Sequence, residues 1–285
     1  MLEICRNPHC RQKIVSVREY GKFPRVCPRC GVDLERATDL ATPSPQVLSA
    51  GERAISLDGA EMVYVPAGPF IMGSDLNEIK AAFETASQKY MDVMWIWFER
   101  ELPRHQADLP GFWIDIVPVT CVRYKRFCDA TGHKPPKDWN SGQIPDGRSN
   151  HPVVNVAWED VLAYCSWVGK RPPYESEWEK AARGTDGRIW PWGNEYREDC
   201  GNIDRGSATG IQPVGGHPEG SSPYGCLDMA GNVFEWTRDI CVQYPGYRET
   251  EDLKLLRREQ TQRQRVKRTV VYGDGVSVTE SDPFQ

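Results

Sequence analysis

Tryptophan occurs ten times in this 285-residue chain, together with 25 glycines and 22 prolines. Long regular helices and strands would contain far fewer turn-forming residues. Each large aromatic side chain buries much apolar surface and can hold loops in place. The combination predicts a loop-rich domain that is held together by aromatic residues rather than by long helices or sheets.

Size and charge exclude several broad classes. With 39% hydrophobic and 26% charged residues, the chain has the composition of a globular protein with a sizeable core. Its formal net charge of −5 gives no sign of a chain-wide surface for polyanions. No run approaches the roughly 18 apolar residues of a membrane span, and the start Met-Leu-Glu-Ile-Cys-Arg contains no apolar signal segment. The sequence therefore predicts a cytoplasmic protein without membrane contact.

Residues 1–37 contain two short cysteine hairpins. Cys5 and Cys10 lie in the first hairpin, and Cys27 and Cys30 lie in the second. Ten cysteines in a chain that begins like a cytosolic protein favour metal ligands or buried thiols over a disulfide framework. Two thiolates from each hairpin can close a tetrahedral zinc site, and zinc would supply the folding energy that so short a segment lacks. The spacing predicts a zinc ribbon, with two disulfides or four free thiols as the alternatives.

The rest of the chain is predicted to contain a linker over 38–54, a large domain over 55–245 and a basic tail over 246–285. Apolar residues recur every three or four positions over 78–101, which indicates an amphipathic helix inserted into the domain. Three shorter helices, each followed by a glycine, are predicted at 122–130, 160–168 and 176–183.

Seven motifs follow one another between residues 60 and 240. They are Val65-Pro-Ala-Gly-Pro-Phe-Ile-Met-Gly-Ser74, Phe112-Trp-Ile-Asp115, His151-Pro-Val-Val-Asn-Val-Ala-Trp-Glu-Asp160, Ala163-Tyr-Cys-Ser-Trp167, Gly169-Lys-Arg-Pro-Pro-Tyr-Glu-Ser-Glu-Trp-Glu179, Trp190-Pro-Trp-Gly-Asn194 and Asp228-Met-Ala-Gly-Asn-Val-Phe-Glu-Trp236. In content and order they resemble the domain of the formylglycine-generating enzyme, or sulfatase-modifying factor, family. The resemblance implies an α+β, C-type-lectin-like fold with little regular secondary structure. It also implies that Trp178, Trp190, Trp192 and Trp236 are structural residues of the core.

The resemblance also implies a calcium site, because residues of this sequence match the ligands of one calcium site of the family. The side chains of Asp228 and Glu235 match ligands of one site, as do the carbonyl groups of Gly231 and Val233. Calcium prefers such oxygen ligands. The alternative is that the two carboxylates cap turns or pair with Arg238.

A second calcium position of the family begins at residues that match Asn202 and Ile203. The loop that follows, residues 204–210, is short and supplies no clear matching acid. Only part of the second calcium site can therefore be assigned to residues of this sequence.

The sequence differs from the family's oxidases in the segment that leads to their copper-binding cysteines. In those enzymes an Arg-Val-x-x-Gly-Gly-Ser stretch leads to two cysteines, which bind copper as thiolates so that oxygen oxidises a substrate cysteine to formylglycine. Here Arg265-Val-Lys-Arg268 is followed by Thr269-Val-Val, and no cysteine follows Cys241. Phe234 also stands where the oxidases carry tryptophan. We therefore expect no catalytic copper.

Three functions remain open. The leading hypothesis is a ligand- or protein-binding module, including variable binding proteins diversified by retroelements, with 78–101 docking a protein or peptide. The second is a copper- and oxygen-dependent oxidase, either truncated or rearranged around Cys200, Cys226 or Cys241. The third is nucleic-acid binding through the zinc ribbon and the basic stretch 254–268, although such a stretch is more often a solvated helix face. The five histidines lie at no ligand-like spacing, which argues against a three-histidine iron site.

Overall fold

The computed structural model describes residues 2–5, 13–15, 34–36, 48–89, 95–203, 210–251, 253–255 and 257–258. The chain divides into two compact units, one of residues 1–72 and 106–239 and the other of residues 73–105 and 240–285. Of the predicted zinc ligands, Cys10, Cys27 and Cys30 lie outside the described residues, and Cys5 is described by its backbone alone. The zinc ribbon therefore stays a prediction.

Short strands organise the first unit. They are β1 (Leu2–Cys5), β2 (Lys13–Val15), β3 (Leu34–Arg36), β4 (Arg53–Ser56), β5 (Glu61–Val65), β6 (Gly68–Met72), β7 (His105–Leu109) and β8 (Phe112–Asp115). Six of them form one sheet in the order β3-β1-β2-β4-β5-β8, whereas β6 and β7 pair separately. β5 and β8 run antiparallel, with Met62 opposite Asp115 and Val65 opposite Phe112. Strand β8 is thus an edge of the large sheet.

α-Helices with defined bounds carry most of the remaining regular structure in the described residues. They are α1 (Leu76–Lys89), α2 (Trp95–Glu99), α3 (Cys121–Thr131), α4 (Trp158–Val168) and α5 (Glu175–Arg183). The last three confirm the predicted helices at 122–130, 160–168 and 176–183. The single helix predicted over 78–101 is instead α1 and α2, and residues 90–94 between them are not described. In the described part of the chain, no helix is long and apolar enough to cross a membrane.

Local capping explains where α3 and α4 begin and end. The Thr120 hydroxyl accepts a hydrogen bond from the Arg123 amide at 3.4 Å at the start of α3. Gly132 and Gly169 follow the two helices with φ of 73° and 67°, which glycine adopts without strain. These short capped helices and small sheets match the α+β fold that the sequence predicts.

Two apolar clusters form the core of the first unit. One lies between β5, β8 and α5, and its buried members are Val63, Val65, Phe112, Ile116, Ala181, Ala182, Cys226 and Met229. The other, which we call the aromatic core, lies between α3 and α4 and buries Cys121, Tyr124, Phe127, Cys128, Trp139, Tyr164 and Val168. Burial of this apolar area from several short elements stabilises a fold that has little regular secondary structure.

The second unit has a small core of its own, in which Ile79, Trp95, Leu102 and Leu253 are buried. Beside it, the fully buried Glu99 carboxylate accepts hydrogen bonds from Arg257 at 2.6 and 2.7 Å and from the Tyr247 hydroxyl. A buried carboxylate is tolerated only when it is paired and hydrogen-bonded in this way. The segment 240–258 is therefore an integral part of this unit.

Candidate functional site

A cavity of about 690 Å³ lies within the first unit. Residues 111–119 line it without interruption, and the other walls come from residues 153–156, 169–173 and 232–236. Pockets that bind small molecules or peptide side chains usually have volumes of roughly 300 to 1,000 Å³. We call this space the β8 cavity, because the edge strand and its continuation form one whole wall.

A buried ionic network holds one end of this wall. Asp58, whose side chain is 0% exposed, accepts a hydrogen bond from Arg123 Nε at 2.8 Å. Arg123 Nη2 also donates to Asp115 Oδ2 at 2.6 Å, and Lys170 Nζ donates to Asp115 Oδ1 at 2.7 Å and to Asp58 Oδ1 at 3.2 Å. Two carboxylates therefore face two cations, and charge is balanced without solvent.

The pKa of Asp58 shows how strongly this network favours the ionised carboxylate. Burial opposes ionisation, but the charges of Lys170 and Arg123 outweigh burial and hold the pKa of Asp58 far below its usual range. Sequence reasoning missed Asp58, Arg123 and Lys170, because Asp58 lies 65 residues from Arg123 and 112 residues from Lys170 along the chain. The only signal was a carboxylate at the end of the apolar motif Phe112-Trp-Ile-Asp115.

The structure brings the two predicted calcium positions together. The Asn232 amide donates to the carbonyl of Asn202 at 3.2 Å. A Cβ at Gly231, where φ is 94°, would lie 2.7 Å from that carbonyl oxygen, so only glycine fits there. The segments 201–203 and 230–232 therefore pack directly on each other. Asp228 lies nearby and accepts a hydrogen bond from the Gly215 amide at 2.7 Å.

Both predicted carboxylate ligands have raised pKa values. Desolvation, together with the charges of Asp228 and Asp115, raises the pKa of Glu235 to about 7, against a contact with Trp178. Desolvation likewise raises the pKa of Asp228. Neither carboxylate has an ion pair within the described ranges, and the predicted alternative partner Arg238 instead stacks on a tyrosine ring.

This donor set fits calcium in its chemistry. Two desolvated carboxyl groups that repel each other are relieved by a divalent cation, and carbonyl groups or water complete its oxygen shell. Among the residues that the structure describes, no three His, Cys, Asp or Glu side chains cluster as metal ligands would. A calcium ion here would thus depend on the carbonyl groups of Gly231 and Val233, and calcium stays a prediction.

The cysteines from Cys121 to Cys241 are free thiols. Burial raises the pKa of the thiols of Cys121, Cys128 and Cys200, and it raises the pKa of Cys165 and Cys226 to about 12. Such groups are protonated at neutral pH, whereas the thiolate is the form that binds copper(I) and attacks substrates. Of the three cysteines suggested for a rearranged oxidase, Cys200 and Cys226 are buried and Cys241 is exposed.

The four tryptophans expected in the core have different environments. Trp178 packs against the β5–β8 cluster, and the rings of Trp190 and Trp192 stack at a centroid distance of 5.3 Å. The expectation was wrong for Trp236, which is 51% exposed although its indole Nε1 donates to the Val156 carbonyl at 3.2 Å. The Trp236 ring contacts Trp158 at a centroid distance of 5.8 Å, and the neighbouring Phe234 side chain is fully exposed.

A sequence-family model described as the sulfatase-modifying factor enzyme 1-like domain matches residues 49–280. The chain belongs to this family. As a sulfatase-modifying-factor-type protein, it is 29% identical over 258 residues to the formylglycine-generating enzyme of Mus musculus, which covers 71% of this chain and 64% of that protein. It is 33% identical over 215 residues to the hercynine oxygenase of Mycolicibacterium smegmatis, covering 65% and 47%. The chain thus spans less than two thirds of the length of these relatives.

A solved structure of a sulfatase-modifying-factor-type fold is also similar. The structure of PvdO from Pseudomonas aeruginosa aligns with a TM-score of 0.52 at 27% identity, covering 68% of this chain and 76% of that chain. The resemblance and the fold class predicted from the motifs are therefore confirmed. The family match also extends to residue 280, well into the segment predicted to be a tail.

Proposed function

We propose that this sulfatase-modifying-factor-type protein is a ligand- or protein-binding module without cysteine-oxidase activity. The observation that carries the proposal is the state of its thiols: those of the buried cysteines have raised pKa values, and residues 242–280 of the matched family domain contain no cysteine. A copper oxidase needs a pair of thiolates at its metal. Family membership does not decide the question, because relatives with different activities share one scaffold.

The β8 cavity supports the binding half of the proposal. It combines apolar and aromatic walls with a few fixed polar groups, such as the Asp115 carboxylate held by Lys170. Sites that recognise ligands typically have this composition. Retroelement-driven diversification of the loops, suggested by the divergent C-terminal part, remains a separate prediction.

Nucleic-acid binding is less well supported, because part of the basic stretch 254–268 is already paired. Lys254 Nζ lies 2.7 Å from a Glu251 carboxylate oxygen, and Arg257 is bound to the buried Glu99. Retention on single-stranded DNA at low and moderate salt tests this function. We expect weak retention that salt abolishes.

Docking of a protein through 78–101 also stays a prediction. In the second unit Trp95 is buried, whereas Trp97 on the same short helix is 56% exposed. Of these two tryptophans, Trp97 is therefore the one accessible to a partner, and a Trp97→Ala variant that recovers the same partners in a pull-down would remove this helix from consideration.

An aldehyde assay tests the absence of oxidase activity. The copper-loaded chain is incubated under oxygen with a Cys-x-Pro-x-Arg peptide, and formylglycine is measured by mass, with the mouse formylglycine-generating enzyme as positive control. We expect no aldehyde above a copper-only control. Turnover above that control, lost in a Cys226→Ser or Cys200→Ser variant, would overturn the proposal and favour the rearranged oxidase.

We further propose that zinc is bound by Cys5, Cys10, Cys27 and Cys30. Support comes from their paired spacing, because a structural zinc site of four thiolates is closed and needs every ligand. Metal analysis of a variant carrying Cys27→Ser and Cys30→Ser should show loss of zinc. A Cys241→Ser variant is the control and should retain it.

A further inference from the structure

A stretch of the second unit, residues 240–243, is exposed along its whole length. It contains no helix, strand or turn, and the side chains of Ile240 and Val242 are 84% and 67% exposed. Between them lies Cys241, an exposed free thiol. No backbone hydrogen bond joins this stretch to another part of the described chain. Neighbouring apolar side chains of this kind form a surface that folded proteins usually cover.

The same chain contains a segment that fits this surface. The family match extends to residue 280, so the domain continues beyond the last described residue. Within that part, Thr269-Val-Val-Tyr272 and Val276-Ser-Val-Thr279 are separated by Gly273-Asp-Gly275. Two runs of β-branched and aromatic residues on either side of a short glycine-containing loop are typical of a β-hairpin.

The predicted hairpin has one apolar face. Three-residue loops usually end on a residue in the left-handed region, and Gly275 stands at that position. Such a loop places Tyr272 opposite Val276 and Val270 opposite Val278, so these four apolar side chains share one face. The opposite face carries Thr269, Val271, Ser277 and Thr279. Because an isolated two-stranded hairpin is at best marginally stable in water, the apolar face needs a surface to pack against.

The connection is long enough for the hairpin to reach the exposed stretch. Residues 259–268 lead from Arg258 to the first run, and ten extended residues span about 35 Å. Both the stretch and the hairpin belong to the second unit. A segment tethered by so short a connection has an effective concentration in about the millimolar range. It therefore outcompetes a separate partner of equal intrinsic affinity that is present at a lower concentration.

We propose that residues 269–279 form a β-hairpin whose apolar face packs on Ile240 and Val242. The contact removes the exposed stretch and the apolar face of the hairpin from water together, which stabilises both. The stretch 240–243 is then an internal contact of the chain rather than a docking surface for another protein. This inference is independent of the proposed binding function.

The test measures how accessible position 242 is in the full chain. Val242→Cys is combined with Cys241→Ser, and the reaction of the thiol with iodoacetamide is followed by mass on the peptide that contains it. We expect a rate about tenfold lower than in the urea-unfolded chain, because a covered group reacts only after local opening. A chain that ends at Arg258 should lose this protection.

A matched pair of valines tests which face of the hairpin makes the contact. Val270→Lys places a charge on the apolar face and should bring the rate at position 242 close to that of the unfolded chain. Val271→Lys, on the opposite face, should leave the rate unchanged. Hydrogen exchange of the peptide 269–279 should be slow in Val271→Lys and fast in Val270→Lys, since the hairpin is stable only when it is packed.

Four results would overturn the inference. If the thiol at position 242 reacts in the full chain as it does in urea, the stretch is uncovered. Equal rates in Val270→Lys and Val271→Lys mean that the apolar face of the hairpin makes no contact there. Protection that increases with protein concentration assigns the cover to a second copy of the chain. Protection that survives deletion of residues 259–285 assigns it to another part of the same chain.

Discussion

The aromatic core and the 232–236 wall of the β8 cavity lie in the same unit and use similar residues with opposite results. In the aromatic core, the Phe127 ring contacts Tyr124 and Tyr164 at centroid distances of 5.3 and 5.6 Å. On the wall, Phe234 has no such neighbours and is fully exposed. Aromatic residues therefore stabilise this fold only where two or more elements bring rings together. Where one element presents them alone, they are available for binding.

The charged residues differ in the same way. Asp58 is fully buried and paired with Arg123, whereas Glu235 lies on the exposed 232–236 wall, has a raised pKa and has no cationic partner among the described residues. A paired buried charge contributes to the folded state, whereas an unpaired one costs free energy until something binds it. The first region contributes to stability, whereas the second leaves charged and aromatic side chains accessible to solvent.

The largest expected effect separates the two aromatic environments. Phe127→Ala should lower the free energy of unfolding by about 3–5 kcal/mol, because it removes a buried ring and leaves a cavity. Phe234→Ala should change the free energy of unfolding by less than about 0.5 kcal/mol, since its side chain is already in solvent. Urea unfolding of both variants measures the difference. Similar losses would mean that the wall is packed as tightly as the aromatic core.

The next effect concerns the paired charge. Asp58→Asn should cost about 3 kcal/mol, because Arg123 and Lys170 lose the charge that compensates their burial. Since the folded-state pKa of Asp58 is depressed, its stabilising contribution is present above about pH 4 and is lost as the pH falls towards the folded pKa. The Asp58→Asn variant should therefore lose less free energy of unfolding than the wild-type protein when the pH is lowered.

Asp129→Asn is the matched control for Asp58. Asp129 forms an exposed pair with Lys125, and such pairs contribute less than about 1 kcal/mol. Its denaturation in urea at pH 7 and at pH 3 should follow that of the wild-type protein. If Asp58→Asn also follows the wild type, the buried network does not carry the stability assigned to it.

Calcium should act on the unpaired charges. At about a hundredfold excess over Kd, calcium should raise the free energy of unfolding by roughly 2.7 kcal/mol, and Asp228→Asn or Glu235→Gln should abolish this gain. Because the folded-state pKa of Glu235 is raised to about 7, the calcium-free protein should lose stability as the pH rises through 7. The gain from calcium should grow over the same interval.

Thermal melts with calcium and with chelator at pH 6 and pH 8 measure this effect. Asp186→Asn, which alters an exposed carboxylate paired with Arg188, is the control and should respond to calcium like the wild type. If chelator leaves the melting temperature unchanged at both pH values, the calcium site assigned from the family is wrong.

The smallest effect is expected in the second unit. Arg257→Ala should cost about 1 kcal/mol, since its guanidinium is partly exposed while the buried Glu99 keeps its bond to Tyr247. Arg258→Ala, at the exposed neighbouring residue, should have almost no effect. Hydrogen exchange of the α2 backbone amides measures the loss of local stability in the Arg257→Ala variant. Equal exchange in the two variants would contradict an integral role for Arg257.

Sequence patterns predicted those features that neighbouring residues determine. The helices at 122–130, 160–168 and 176–183 depend on local periodicity and on following glycines, and the ordered motifs gave the family. The network around Asp58 and the exposure of Trp236 depend on contacts between residues far apart in the chain. Trp236 contacts the ring of Trp158 at a centroid distance of 5.8 Å and is still half exposed, and no local pattern predicts how much of a tryptophan ring its contacts cover.

The bond between Glu99 and Arg257 has a consequence for biosynthesis. The two residues are 158 positions apart, so the ribosome must synthesise almost the entire described chain before Glu99 of α2 can pair with Arg257. Until then the Glu99 carboxylate, which is buried in the folded protein, remains in water, and the apolar residues of α1 and α2 lack their contact with Leu253. Domains generally fold from the N-terminus during synthesis, and long-range contacts form slowly. The nascent chain would therefore complete its second unit last, so that α1 and α2 lack their buried partners during most of translation.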